Sequence, residues 1–237
     1  MEMEYSERVI SKLDHTLRTG EVAFDNYYGI SYFDFLRKNE KVGKIFDKSM
    51  SEMAIACHYD LLVTEYDYSP FNHIVDIGGG NGHFLISILE KTPNAKGTLF
   101  DVESCIEAAR MKISSSSVSD RCTTVAGSFF DVIPANADCY ILQRILHDWD
   151  DENALKILLN VKKQMKVGSK LLFIEEVICN QGSNVNKLYD IIMLAYFGGK
   201  TRTMEEIKQL FSKANLKLER SKEIKQCDMF IMQFTSV

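Results

Sequence analysis

Beyond Pro70 the sequence alternates between short apolar runs and amphipathic helical stretches, and that alternation restricts the fold more than any other feature. "HIVDI" reads as a strand, followed by a glycine loop and the helix "HFLISILEK", which Pro93 closes. The series continues with "GTLFD", "ESCIEAARMK", "CTTVAG", "DCYIL", a helix over 151–166 and "SKLLFIEEV". Ala154, Leu158, Val161 and Met165 form one stripe of that helix, three lysines lie in its last turns, and Gly168 is the expected C-cap. Thr203 and Glu206 make a capping box that opens a helix to about Ala214. "LKLERS" and "DMFIMQF" close the chain without a helix-length spacer, so one of them runs antiparallel. The pattern predicts an α/β fold, a mostly parallel sheet with helices on both faces and ligands at the carboxyl ends of its strands.

Ahead of Pro70 the sequence reads as helical and aromatic-rich, which divides the chain into a helical segment, 1–70, and a sheet domain, 71–237. Val9, Leu13 and Leu17 are expected on one helix face with Gly20 as the stop, and a second helix is expected from about Val42 to Tyr66. With 46% hydrophobic residues in 237, a full core is within reach. The net charge of −5 argues against a nucleic-acid partner, and no apolar run approaches a membrane span. The six cysteines (57, 105, 122, 139, 179 and 227) are scattered without a C-x-x-C pair, and the opening "MEMEYSERVISK" is too charged for a secretory signal. Free thiols and a cytoplasmic location are expected.

"VDIGGGNGH" places Asp76, Gly78, Gly79, Gly80 and Gly82 directly after the first strand. A dinucleotide fingerprint would need glycine at 83, where this chain has histidine. The Asp-x-Gly-x-Gly-x-Gly spacing suits a nucleoside without a pyrophosphate, the carboxylate meeting a cationic amino-acid end. Asp101, at the end of the second strand, is placed to accept hydrogen bonds from ribose hydroxyls. The competing reading is a tight turn with Asp101 capping the next helix.

"LQRILHDWDDENALKILLN" sets His147 between an apolar run and four carboxylates. The imidazole could start a helix, bind a metal or act as a general base. Asp148 or Asp150 reads as an N-cap, Asp151 and Glu152 suit the first turn, and Trp149 reads as packing. No second histidine stands nearby at ligand spacing, so no metal is expected.

In order and spacing, "VDIGGGNG", "FDVE", "AGSFFD", "LHDWDDE", "IEEV" and "DIIMLAYFGGKTRT" resemble the small-molecule O-methyltransferases that use S-adenosylmethionine, the caffeic acid and acetylserotonin enzymes among them. The resemblance runs from about Thr19 to the C-terminus. It implies a Rossmann-like class I methyltransferase sheet of seven strands, the last hairpin antiparallel, and S-adenosylhomocysteine as product. Asp76, Gly78 and Gly80 would line the methionine part of the cofactor, and Asp101 would hold the ribose. Ser128 and Phe129 would lie beside the adenine; Ser128 and Gln143 stand where the family often has an acidic and a basic residue.

The same resemblance makes His147 the base and Glu175 the carboxylate that orients it, with Glu176 one register off and facing away. A histidine near its ordinary pKa of about 6.5 would be neutral at rest and could take a phenolic proton during methyl transfer. Thr201 replaces a second carboxylate found in plant members. Phe33, Phe46 and Met50, with Met193, Tyr196 and Phe197, are the expected clamp on a small aromatic hydroxyl acceptor. The winged-helix dimerisation domain usual ahead of the matched region is absent from this sequence, and the helices before Pro70 would form a lid and part of a homodimer contact. Two other functions stay open: a non-catalytic cofactor- or partner-binding protein, and a nucleotide-dependent oxidoreductase, which His83 disfavours.

Overall fold

The strand "HIVDI" becomes β1 (His73–Ile77), and its neighbours are β2 (Lys96–Asp101), β3 (Cys122–Ala126), β4 (Cys139–Gln143), β5 (Lys170–Glu175), β6 (Leu216–Ile224) and β7 (Met229–Ser236). In the computed structural model, which describes residues 7–56, 58, 60–179 and 184–237, they form one sheet of order β3-β2-β1-β4-β5-β7-β6. Every pairing from β3 through β5 is parallel, and β7 runs antiparallel to both β5 and β6. The expected odd strand is therefore β7.

Two-residue periodicity sorts side chains into two cores. Ile74, Cys139, Ile141, Leu172 and Ile174 face one apolar cluster. Val75, Tyr140, Leu142, Leu171 and Phe173 face the other. Glu175 falls on the face of Leu171 and Phe173, at the carboxyl edge where β5 ends. Helices α6 (His83–Lys91), α7 (Glu103–Ser114), α8 (Asp151–Gln164) and α10 (Met204–Lys213) cover the sheet, while α9 (Asn184–Phe197) packs on the helical segment.

That segment comprises α1 (Leu13–Thr19), α2 (Ala23–Tyr28), α3 (Tyr32–Lys38), α4 (Glu40–Ala56) and α5 (Asp60–Thr64). Val9, Ala23, Phe24 and Ala195 make its own small core, with Tyr32, Phe35 and Tyr196 around it. Gly20 ends α1 in the left-handed conformation, as expected. Leu17 does not join the buried face: it is 71% exposed, and Thr16 is buried instead. A turn at 11–12 separates the first helical turn from α1, which resets the phase on which the stripe depended.

The single helix expected from Val42 to Tyr66 is two helices, with His58 in left-handed backbone between them; Cys57 and Tyr59 lie outside the described residues. So does the start of the charged opening, residues 1–6. Helix α8 stops at Gln164 on an extended Met165, and Gly168, at φ 89°, makes the later turn into β5 rather than the cap. The capping box of Thr203 and Glu206 is present as expected. Cys105, Cys122, Cys139, Cys179 and Cys227 are free thiols. Among the described residues no helix is long and apolar enough to cross a membrane.

Candidate active site

The glycine turn leaves β1 at its carboxyl end. Asp76 is buried at 1% exposure, and its Oδ2 has no hydrogen-bond partner. Burial, and then the charge of Asp101, push its carboxyl up to about 7. Gly78 has φ 70°, and a Cβ there would run into the side chain of Ile145. That close approach locks the turn against the segment that carries His147. Over Gly80 nothing lies within 4 Å of a built Cβ, so its face is open. Asp101 Oδ2 accepts from Gly80 N at 2.8 Å and Oδ1 from Val102 N at 2.7 Å. An orphaned buried carboxylate, an open glycine face and a second carboxylate one strand away fit a ligand with a cationic end and a diol.

Ser128 and Phe129 follow β3. Ser128 Oγ accepts from Phe130 N, while the Phe129 ring meets Phe130 at 5.0 Å and Trp149 at 5.8 Å, both edge-on. Gln143 closes β4, half-buried beside Ile174 of β5. Trp149 is packed as expected, but its neighbours are site residues: Phe130 edge-on at 4.7 Å and Phe33 nearly parallel at 6.0 Å. Phe33 also meets Phe197 at 5.3 Å. Phe46, Tyr196 and Phe197 all pack edge-on around Tyr32. Met193 is buried and Met50 half-buried on α4. The structure thus brings Phe33 and Phe197 toward Trp149, whereas Tyr196 belongs mainly to the core of the helical segment.

His147 sits in a 3-10 turn (Leu146–Asp148) just past β4 and is 6% exposed. Its Nδ1 lies 3.0 Å from Glu175 Oε1 and 3.8 Å from Glu176 Oε2, and its Nε2 lies 3.4 Å from Asp148 Oδ1. Neither carboxylate oxygen of Glu175 has a hydrogen-bond partner, so its approach to Nδ1 is an ion-pair contact. Burial by itself would push the imidazole down. Glu175, then Asp148, override it and carry the ring up to about 10, so it holds both protons at neutral pH. This corrects the expectation of a ring neutral at rest.

Glu176 corrects a second expectation. Strand alternation would turn it away, but β5 ends at Glu175 and the chain leaves the pleat. Glu176 therefore swings to the same cluster, where it pairs with the Arg144 guanidinium and is held at about 2, burial opposing and Arg144 and His147 prevailing. Arg144 itself has φ 53°, a left-handed conformation that residues other than glycine seldom adopt. One donor atom each from His147, Glu175 and Glu176 lies within 4.8 Å of the others, a grouping compact enough for a cation. Asp150, not Asp148, caps α8, accepting from Asn153 N at 2.8 Å. The sequence marks Asp148 only as a candidate N-cap and Glu176 as facing away, and it does not pick out Arg144 or the buried Arg202. Their only local signal is proximity to His147, Glu175 or Thr201.

A sequence profile described as an O-methyltransferase domain matches residues 10–217. The chain belongs to that family. Among relatives of this O-methyltransferase-family chain, a phenazine O-methyltransferase of Lysobacter antibioticus is 38% identical over 87% of this chain and 60% of its own length. An O-methyltransferase from neocarzinostatin biosynthesis, solved with S-adenosylmethionine and 2-hydroxy-5-methyl naphthoic acid, superposes with a TM-score of 0.89. It is 32% identical, with 97% of this chain and 68% of that one covered. An aclacinomycin 10-hydroxylase of Streptomyces purpurascens is 30% identical over 99% of this chain and 64% of its own length. The chain spans about 60% of the length of the first curated relatives it matches.

Proposed function

We propose that this chain transfers a methyl group from S-adenosylmethionine to a hydroxyl of a small aromatic compound, with His147 as general base and Glu175 as the carboxylate that orients it. The observation that carries the reading is the close approach of Ile145 to Gly78, which brings the segment bearing His147 against the glycine turn. Phenazine and naphthoate O-methyltransferases among the relatives support a flat acceptor with a ring hydroxyl.

Asp76, Gly78 and Gly80 would hold the methionine portion of the cofactor and Asp101 the ribose, with Ser128, Phe129 and Gln143 on the adenine side. When bound, the cofactor supplies an electrophilic methyl on a sulfonium cation. The orphaned Oδ2 of Asp76 would meet the cofactor's cationic amino group, offsetting the penalty of an unpaired buried carboxylate. Phe33, Met50, Met193 and Phe197 would shape the acceptor side, with Tyr196 behind them in the helical core, and Trp149 would join them through its stacking with Phe33.

An acceptor hydroxyl reaches Nε2 by displacing the Asp148 carboxylate from it. Proton transfer to a ring raised to about 10 is nearly thermoneutral for a phenol, whose own pKa is about 10. The neutral fraction of His147 at pH 7 is correspondingly small, which favours acceptors more acidic than simple phenol. Arg144 already neutralises Glu176, and the chemistry is read as metal-independent.

Incubation with methyl-labelled S-adenosylmethionine and a panel of hydroxynaphthoates, hydroxyphenazines and simple phenols tests the proposal. Labelled methyl ether from the acidic members is the expected result; cofactor binding with no labelled product from any of them refutes it. The 10-hydroxylase relative favours one second reading, a member that binds the cofactor but does other chemistry. Product mass separates the two, because hydroxylation adds oxygen and no label.

A further inference from the structure

We propose that Arg202 is the positioning residue for His147, clamping the turn that carries the imidazole through its backbone on both sides of the ring. Arg202 is 3% exposed. Its Nη1 donates to Leu146 O at 2.7 Å, its Nη2 to Trp149 O at 2.8 Å and its Nε to Asp151 Oδ1 at 2.9 Å. These three acceptors bracket His147 and Asp148. A planar guanidinium with donors in a fixed fork can hold three acceptors in one geometry; an ammonium cannot.

The turn needs such a clamp. Its own backbone bonds, Asp148 N to Ile145 O and Trp149 N to Leu146 O, are both 3.3 Å, long for amide bonds. Gly199 closes the opposite side. A Cβ built there would run into His147 O and lie 2.7 Å from Trp149 N, so only a residue without a side chain lets the segment dock.

The clamp is anchored in turn. Arg202 O accepts from Ile178 N at 3.1 Å, just beyond the end of β5 that bears Glu175. Thr201 N donates to Asp190 Oδ1 at 2.8 Å on α9. Arg202 therefore ties the His147 turn to the chain leaving β5, and so sets the separation of the imidazole from Glu175 while touching neither. Position 201 carries a hydroxyl, and the restraint on the ring here is a backbone one, supplied by the next residue.

The inference rests on His147 being the base, and the experiment separates the two. Arg202→Lys, Gly199→Ala and His147→Ala are assayed for kcat, KM and cofactor affinity, with the His147 ring followed by nitrogen NMR. Displacing a reacting group by about 1 Å costs on the order of 10²-fold, so Arg202→Lys is expected to lower kcat by about that factor while KM for both substrates stays within about three-fold. Its His147 ring resonances shift, and Gly199→Ala, pressing the same turn from the other side, shows the same split. Should Arg202→Lys not fold, Asp151→Ala, which removes only the Nε acceptor that steadies the guanidinium, is expected to lower kcat with KM little changed and to shift the ring resonances; no change in either overturns the positioning role. Unchanged kcat and unmoved ring resonances in the folded variants, with His147→Ala inert, overturn the positioning role alone. Full turnover by His147→Ala overturns the base assignment and this inference with it.

Discussion

His147 Nδ1 stands 3.0 Å from Glu175 Oε1, a contact between a 3-10 turn after β4 and the last residue of β5. Parallel pairing brings them there, because Gln143 lies opposite Ile174 and both strands end at the same edge. Once the ring gives up a proton, the carboxylate beside Nδ1 would favour keeping the other proton there and leave Nε2 free to act as base. Asp148 Oδ1, 3.4 Å from Nε2, guards that position.

Removing the imidazole should abolish turnover and spare binding. For His147→Ala the expected loss in kcat is on the order of 10² to 10⁴, the usual contribution of a positioned base. Calorimetric affinity for S-adenosylmethionine should change little, since no cofactor group is assigned to the ring. Equal losses in both quantities would mean that His147 holds the ligand rather than its proton.

Because Glu175 and Asp148 raise His147 to about 10 against its burial, the ring carries one proton too many at neutral pH. Activity on a simple phenol should therefore climb with pH from about 6 to 9, with the acid limb above the ordinary histidine range. Glu175→Gln removes the largest charge holding that proton and should move the limb to lower pH. A flat kcat/KM profile for the unaltered protein across that range contradicts the assignment.

Arg144 is the cation that balances Glu176 beside the imidazole. Arg144→Met leaves the buried Glu176 with only the more distant His147 as a cationic partner, and breaking such a buried pair typically costs about 3–5 kcal/mol. Denaturant melts measure this directly. Arg144→Met with Glu176→Gln should recover much of the loss, and a double variant no better than the single one would show that the pair is not the cause.

Asp76 should make the protein's stability fall with pH. Its carboxyl is raised from 3.8 to about 7, chiefly by burial and then by Asp101, so the folded state binds the extra proton. The favourable contribution is complete below pH 3.8 and is lost as pH rises through about 7. Asp76→Asn should flatten that slope in thermal melts. It should also weaken S-adenosylmethionine by tenfold or more, about 1.4 kcal/mol. Unaltered cofactor affinity would remove Asp76 from the binding site.

A chelator should leave turnover unchanged, and added zinc should inhibit if it occupies the grouping of His147, Glu175 and Glu176. Activity lost on chelation and restored by a divalent cation would replace the metal-independent reading.

Much of this fold is written in local patterns. Apolar runs of strand length, glycines at 78 to 82, the capping box at Thr203 and the carboxylate at Asp150 each act within one element or one turn. Their consequences therefore follow from chain order alone. The same holds for Asp76 and Asp101, because a parallel pair of strands must end at one edge. Where an element broke, local reasoning failed with it. The turn at 11–12 released Leu17 to solvent, and the end of β5 brought Glu176 back beside Glu175.

Only the tertiary structure decided the state of His147. Periodicity tells which face of an element is buried but not which charges another element will set against it. Glu175, Glu176 and Arg144 meet the ring through strand neighbours, and Arg202 reaches its turn from beyond α9. Charges a few ångströms apart in a buried site shift a proton's affinity by orders of magnitude, and their separation is a property of the folded chain.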